Sequence, residues 1–206
     1  MNKNRIERFT TKERVLHWVV ALSFFTLVLS GLGLFSQMFN GYFNLFGGGR
    51  NAIMVHKLAA LIFFVTSLMM FFHNRTEITT LTENDWNWIR KKGCYLTRED
   101  CQFNMGKFNP GQKLFALCIA VATVILGITG IFIWFPTFFP RIVVQLSLML
   151  HGLMFICALM FSVVHVYLGS VGNPGTLESM LWGNVTRTWA KHHHARWYKE
   201  NFEKNR

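Results

Sequence analysis

Four long stretches of this chain are nearly empty of charge, and that shortage excludes a water-soluble globule before any motif is considered. They cover about residues 15–37, 53–73, 112–135 and 142–168. Each reaches the roughly 20 apolar residues that a helix needs to cross a hydrocarbon core of about 30 Å. Cysteine is also scarce: Cys94, Cys101, Cys118 and Cys157 form neither a CxxC pair nor a zinc spacing. Two of them fall in the loop 74–111, on the side where disulfides are rare, and Cys118 and Cys157 read as small hydrophobes inside spans. A small-residue cleavage pattern is missing as well. The first stretch ends in GLGLFSQMF and begins only after five Lys/Arg and two Glu, so the expectation is a retained span and not a signal peptide. Internal repeats and low-complexity segments are absent.

What is present is an excess of one sign. Lys and Arg number 21 against 10 Asp and Glu, a net charge of +11. The excess follows topology: five Lys/Arg precede the first span, seven lie between the second and third (counting Lys113), and six follow the fourth. Only Arg50 and Arg141 fall on the other side, with Lys57 at a helix mouth. This positive-inside asymmetry places both termini and the loop 74–111 in the cytoplasm, and it argues against nucleic acid as the partner of the basic residues. The expected fold is all-α: an integral membrane four-helix bundle with both termini cytoplasmic and a C-terminal cytoplasmic helix, forming a single domain over residues 1–206.

Along the chain, residues 1–14 read as a basic arm with a helix cap near Thr10 or Thr11. GYFNLFGGGR reads as an irregular outer turn with aromatic anchors, and NDWNWIRKKG as an interfacial helix. Pro110 suits the first turn of the third span. IWFPTFFP reads as a tight outer turn, and residues from Thr176 onward as one tail helix whose Trp182, Trp189 and Trp197 are available to an interface or a partner.

Histidines carry the chemistry. Of eight, four lie in or at the ends of spans: His17, His56, His151 and His165. Ionisable residues at that depth are costly and point to function. Span direction gives each a level: His17 and His165 near the cytoplasmic face, His56 and His151 near the outer face. His151 and His165 are fourteen residues apart. On one helix that leaves them ~40° from eclipsed and roughly 21 Å apart, on one face at two heights. Two histidines from neighbouring helices at one height are what a b-type haem requires, since its axial nitrogens approach iron from opposite sides of the macrocycle. The pairs are His56 with His151 and His17 with His165. Gly31, Gly33, Gly127, Gly130 and Gly152 remove side chains where a flat macrocycle approaches, or serve ordinary helix packing. Arg14 and Arg50 stand as interfacial anchors or propionate partners. His73 reads as interfacial, and His192, His193 and His194 as a solvated or partner-facing stretch.

These residues resemble the gamma subunit, a dihaem cytochrome b, of the bacterial membrane-bound respiratory formate dehydrogenases. The likeness covers nearly the whole chain. It rests on RVLHW, the His56 span, FNPGQK before the third span, the IWFP turn, LMLH with VVHVY fourteen residues on, and the tail WAKHHHARWY. It implies haem iron ligation by His17, His56, His151 and His165, and a quinone, menaquinone or ubiquinone, near the cytoplasmic haem with contacts at Asn109, Gly111 and Gln112. Asn109 before Pro110 also serves as a plain helix cap. Two departures fall on the outer face: the arginine of GGGRNAIMVH lies farther from the ligand, and Phe135 stands in place of a basic residue.

The resemblance implies a bacterial inner-membrane subunit without a catalytic residue of its own. Its partners are an iron–sulfur beta subunit, a molybdenum- or tungsten-containing catalytic alpha subunit, quinone and the lipid bilayer, in a complex that admits a higher oligomer. Electrons from formate pass from the outer face through two haem b groups to quinone near the cytoplasm. Two alternatives stand beside this: the cytochrome b subunit of a hydrogenase or thiosulfate-type reductase, and a haem-free membrane anchor or small transporter whose histidines relay protons.

Overall fold

A computed structural model describes residues 4–91 and 104–203; Cys94 and Cys101 lie outside the described residues. The described chain is mostly helical. Strand β1 (Arg5–Glu7) leads into α1 (Thr11–Phe35), then α2 (Gly49–Thr79), the short α3 (Glu83–Arg90), α4 (Pro110–Trp134) and α5 (Arg141–Ser170). The tail holds α6 (Thr176–Leu181), β2 (Asn184–Thr186), α7 (Arg187–His193) and α8 (Ala195–Tyr198). Helices α1, α2, α4 and α5 are long and apolar enough to cross a membrane. Only 11% of the most apolar window of α5 is buried within the protein, so its hydrophobic surface faces outward, which suits lipid and not water.

Local chemistry explains where these helices start. Thr10 and Glu13 form a reciprocal cap on α1: the Thr10 N–H and hydroxyl donate to the Glu13 carboxylate, and the Glu13 N–H donates to the Thr10 hydroxyl. Thr82 and Asp85 form a capping box on α3, the Thr82 N–H and hydroxyl both donating to the Asp85 carboxylate at 2.7 and 2.8 Å. Pro110 opens α4, where its missing N–H costs nothing. Inside the spans, the hydroxyls of Ser23, Thr26, Ser30, Thr66 and Thr129 donate back to carbonyls one turn earlier. Polar side chains are thereby satisfied without water.

The chain divides into two compact units. The larger-span unit comprises residues 15–70 and 119–164. Within it, Phe24 of α1 meets Phe63 of α2 at 5.9 Å between ring centroids, and Ser67 of α2 bonds Thr123 of α4 at 3.2 Å. Thr129 of α4 bonds His151 of α5, and Phe155 of α5 returns to Phe35 of α1 at 5.8 Å. These contacts link α1 to α2, α2 to α4, α4 to α5 and α5 back to α1. The loop expected to be an irregular turn is a ten-residue 3-10 helix, Gln37–Phe46, capped by Ser36 and ended by Gly47 in the left-handed region at φ 75°. The connection between α4 and α5 is a short 3-10 turn, Pro136–Phe138.

The terminal unit comprises residues 1–14, 71–118 and 165–206. The tail departs from the single helix read from its sequence. Gly183 at φ 80° stops the chain from continuing as helix, and its carbonyl takes N–H bonds from Arg8 and Phe9. Residues 184–186 then pair antiparallel with the N-terminal arm, Ile6 opposite Val185. Ile6, Val185, Ala190, Trp197 and Tyr198 form a small buried core, so Trp197 is packed inside and unavailable to a partner, while Trp182 stays exposed. Trp189 is tied down as well, its indole N–H donating to the Pro174 carbonyl at 3.0 Å.

Candidate cofactor site

His56 sits near the start of α2 and His151 near the middle of α5, and each is held the same way. The Nδ1 of His56 lies 2.9 Å from the Ser30 hydroxyl of α1, and the Nδ1 of His151 lies 2.9 Å from the Thr129 hydroxyl of α4. A hydroxyl has one proton. Ser30 gives its proton to the Thr26 carbonyl at 2.7 Å, and Thr129 gives its proton to the Ile125 carbonyl at 2.7 Å. Each hydroxyl is left to accept, so Nδ1 of each histidine carries the proton and donates it, and Nε2 keeps a bare lone pair. Gly31 gives room for the His56 ring, since a Cβ there would come within 3.2 Å of it, whereas a Cβ on Gly130 would meet the His151 ring at an ordinary 3.6 Å.

Neutral imidazoles with Nε2 available and Nδ1–H anchored are the donor set that haem iron takes. The residues of this site therefore fit the group. Gly33, Gly127 and Gly152, grouped with Gly31 and Gly130 as room for a macrocycle, instead face phenylalanine rings. A Cβ there would meet Phe43 at 2.6 Å, Phe64 at 2.6 Å and Phe35 at 3.3 Å respectively. Their role is close packing of aromatics.

The other two span histidines belong to different units and are described separately. His17 of α1 makes an edge contact with the Trp18 ring at 5.4 Å, in the span unit. His165 of α5, in the terminal unit, stacks flat on Phe115 of α4 with centroids 4.2 Å apart and planes 4° from parallel.

Asn109 and Gln112 form a reciprocal cap on α4: the Gln112 N–H donates to the Asn109 side-chain oxygen at 2.9 Å, and the Asn109 N–H donates to the Gln112 side-chain oxygen at 3.0 Å. Both amide oxygens are occupied by the helix end, which leaves the NH2 groups as the donors these residues can offer. Gly111 packs under Trp88, where a Cβ would come to 3.2 Å of the indole. Arg14 lies against Gly183 within the terminal unit, and Arg50 is exposed at the start of α2.

Two buried polar clusters in the terminal unit escaped sequence reading. Lys113 and Asp85, each about 1% exposed, form a 2.9 Å ion pair, and Lys113 also donates to the Thr80 carbonyl at 2.8 Å. Burial raises the cost of charging Asp85, but Lys113 and the two Thr82 donors outweigh it and hold the carboxyl below its ordinary value. The second cluster overturns the expectation of a solvated stretch for His194, while His192 is exposed as expected. His194 is 2% exposed; Arg8 donates to its Nε2 at 2.9 Å, and its Nδ1 lies 2.7 Å from the Gly106 carbonyl. A guanidinium only donates, so Nε2 accepts and Nδ1–H donates to Gly106. His194 is neutral in this arrangement, pushed well below the usual histidine range by burial first and the Arg8 charge second. His193 is half-buried and lowered to about 4 by burial, then by His192 and Arg8. His73, read as interfacial, lies 3.7 Å from the Glu13 carboxylate. Signals for the missed hydroxyl partners of His56 and His151 did exist in the sequence, as the dipeptides Ser30–Gly31 and Thr129–Gly130 in otherwise apolar spans.

Comparison with known proteins identifies the family. The family model for prokaryotic cytochrome b561 matches residues 8–183. The chain is 31% identical over 205 residues to the cytochrome b556(fdo) subunit of formate dehydrogenase from Escherichia coli strain K12, covering 96% of this chain and 94% of that protein. It is also 31% identical over 209 residues to the nitrate-inducible formate dehydrogenase cytochrome b556(Fdn) subunit of the same strain, with coverage of 97% and 94%. The formate dehydrogenase cytochrome b556 subunit of Haemophilus influenzae is 29% identical over 207 residues, covering 97% of this chain and 84% of that protein. Four membrane-length helices, histidines presented through Nε2 and a match over most of its length place this chain in the prokaryotic cytochrome b561 family, a family that implies haem b.

Proposed function

We propose that this chain is the dihaem cytochrome b subunit of a bacterial membrane-bound respiratory formate dehydrogenase. It carries electrons from an iron–sulfur subunit on the outer face to quinone near the cytoplasmic face. The observation that carries the reading is the repeated pair His56–Ser30 and His151–Thr129, each with Nε2 left to a metal. His56 and His151 hold the outer haem. His17 and His165 hold the second, an assignment that rests on span direction and on the fourteen-residue spacing along α5. Haem supplies reversible one-electron transfer; the protein supplies ligation, burial and orientation.

At the quinone, the amide NH2 groups of Asn109 and Gln112 donate to a carbonyl oxygen, with Gly111 giving access beside Trp88. Protons for quinone reduction come from the cytoplasm, so inward electron transfer builds membrane potential. An inner-membrane location with cytoplasmic termini follows from the basic excess around residues 1–14, 74–111 and 169–206. A hydrogenase or thiosulfate-type partner has less support, because each full-length relative described above is named for formate dehydrogenase.

The test is a dithionite-reduced minus oxidised spectrum with pyridine-haemochrome quantitation on the wild type and on the four single His→Ala variants. Two b haems per chain are expected. His56→Ala and His151→Ala lose one, and His17→Ala and His165→Ala lose the other. A folded chain without haem would replace this reading with the anchor or transporter.

A further inference from the structure

Ser30 and Thr129 do more than fill space beside the histidines. Each takes the Nδ1 proton of its histidine while its own proton is held by a helix carbonyl one turn back, so each forms a three-member chain: carbonyl, hydroxyl, imidazole. A hydroxyl that is already donating is a better acceptor, because hydrogen bonds in series polarise one another. The same device occurs twice, on α1 facing α2 and on α4 facing α5, with a glycine next in sequence each time. Both hydroxyls are well shielded: Ser30 is 0% exposed and Thr129 is 4% exposed, so water does not substitute for either.

We infer that Ser30 and Thr129 are paired positioning residues that set the reduction potential of the haem held by His56 and His151, each fixing its imidazole in the Nδ1–H form and strengthening it as an electron donor. The inference rests on the ligand assignment proposed above. A more strongly donating imidazole stabilises ferric over ferrous iron, so both hydroxyls lower the potential. Their effect is confined to this one haem, because both act through its ligands.

The experiment is a redox titration, followed by visible spectra and low-spin ferric electron paramagnetic resonance, of the complex in membranes. The set is wild type, Ser30→Ala, Thr129→Val, the hydroxyl-keeping Ser30→Thr and Thr129→Ser, and His151→Ala. Each hydroxyl-free variant should shift the reduction equilibrium of one haem toward ferrous by roughly three- to tenfold, which at 59 mV per decade for one electron is about 30 to 60 mV. Its ferric signal should move with it, while the other haem keeps its potential. The hydroxyl-keeping variants should stay near wild type. If a hydroxyl-free variant loses the haem outright, retention of that haem in its hydroxyl-keeping counterpart supports the inference, and loss in both overturns it. An unchanged potential in Ser30→Ala and Thr129→Val, or an equal shift in both haems, also overturns it. His151→Ala separates the two levels. If it leaves both haems in place, the ligand assignment fails; if it removes one while Thr129→Val changes nothing, ligation stands and the tuning role falls.

Discussion

Protonating His194 would place a second positive charge beside the Arg8 guanidinium and would remove the acceptor of Arg8's hydrogen bond, both inside a site that is 2% exposed. Its folded form therefore resists protonation, while the unfolded form binds a proton near the usual 6.5. The unfolded state then holds more protons below that pH, so stability is full above about 6.5 and falls as the pH drops through it. His193, at about 4, contributes with the same sign. Asp85 is separable: its depressed value removes stability only as pH falls below its usual 3.8. Limited proteolysis of the tail should accelerate between pH 7.5 and 5.5 in wild type. His194→Ala should be cleaved faster at pH 7.5, from a loss of roughly 2–3 kcal/mol on leaving the buried Arg8 guanidinium with the Lys107 carbonyl alone, and should show a weaker pH dependence. An unchanged pH profile in that variant would remove His194 as the responsible group.

At the scale of elements, the start of α4 carries two demands that one substitution separates. Asn109 caps the helix through its side-chain oxygen, and in the function proposed above its NH2 group is the donor to quinone. Serine caps as well as asparagine but has no NH2, so Asn109→Ser should keep the wild-type Tm while raising the KM for quinone several-fold; Asn109→Ala should also cost about 1 kcal/mol of stability. An unchanged KM in Asn109→Ser would leave the residue with its cap alone. The buried Lys113–Asp85 pair ties α3 to the same turn of α4. Asp85→Ala leaves an ammonium buried without its counter-charge and should destabilise by roughly 3–5 kcal/mol, read as a lower midpoint in thermal unfolding. Lys113→Met with Asp85→Ala should recover much of that loss, because removing both charges removes the uncompensated one.

At the scale of the molecule, the terminal unit draws together the N-terminal arm, residues 71–118 and the tail, which an even number of crossings requires to share one side. Under the orientation proposed from the basic excess, that side is the cytoplasm. Alkaline phosphatase fused at residue 41 or 138 should be active, whereas fusions at either terminus should be inactive; active fusions at both termini would invert the orientation. The pairing of Ile6 with Val185 adds a second consequence: the arm and the tail stabilise each other, so deleting residues 1–7 should expose the tail to protease as His194→Ala does.

The sequence by itself determined that there are four spans of membrane-crossing length and that Pro110 opens the third, because lipid crossing is a local property of composition, though it set the second span at 53–73 where the helix runs Gly49–Thr79. Asn109 and Gln112 were legible as a helix start for the same reason. Only tertiary structure decided which hydroxyl meets which imidazole, since Ser30 and His56 are 26 residues apart and Thr129 and His151 are 22 apart, with helices between that must first pack. It alone broke the tail into short pieces, because β2 forms by pairing with an arm 179 residues away in the chain. It also moved His194 from a basic, solvated-looking run into a core. Three consecutive histidines look alike to composition, and their burial depends on the Arg8 side chain and the Gly106 carbonyl that distant segments bring to them.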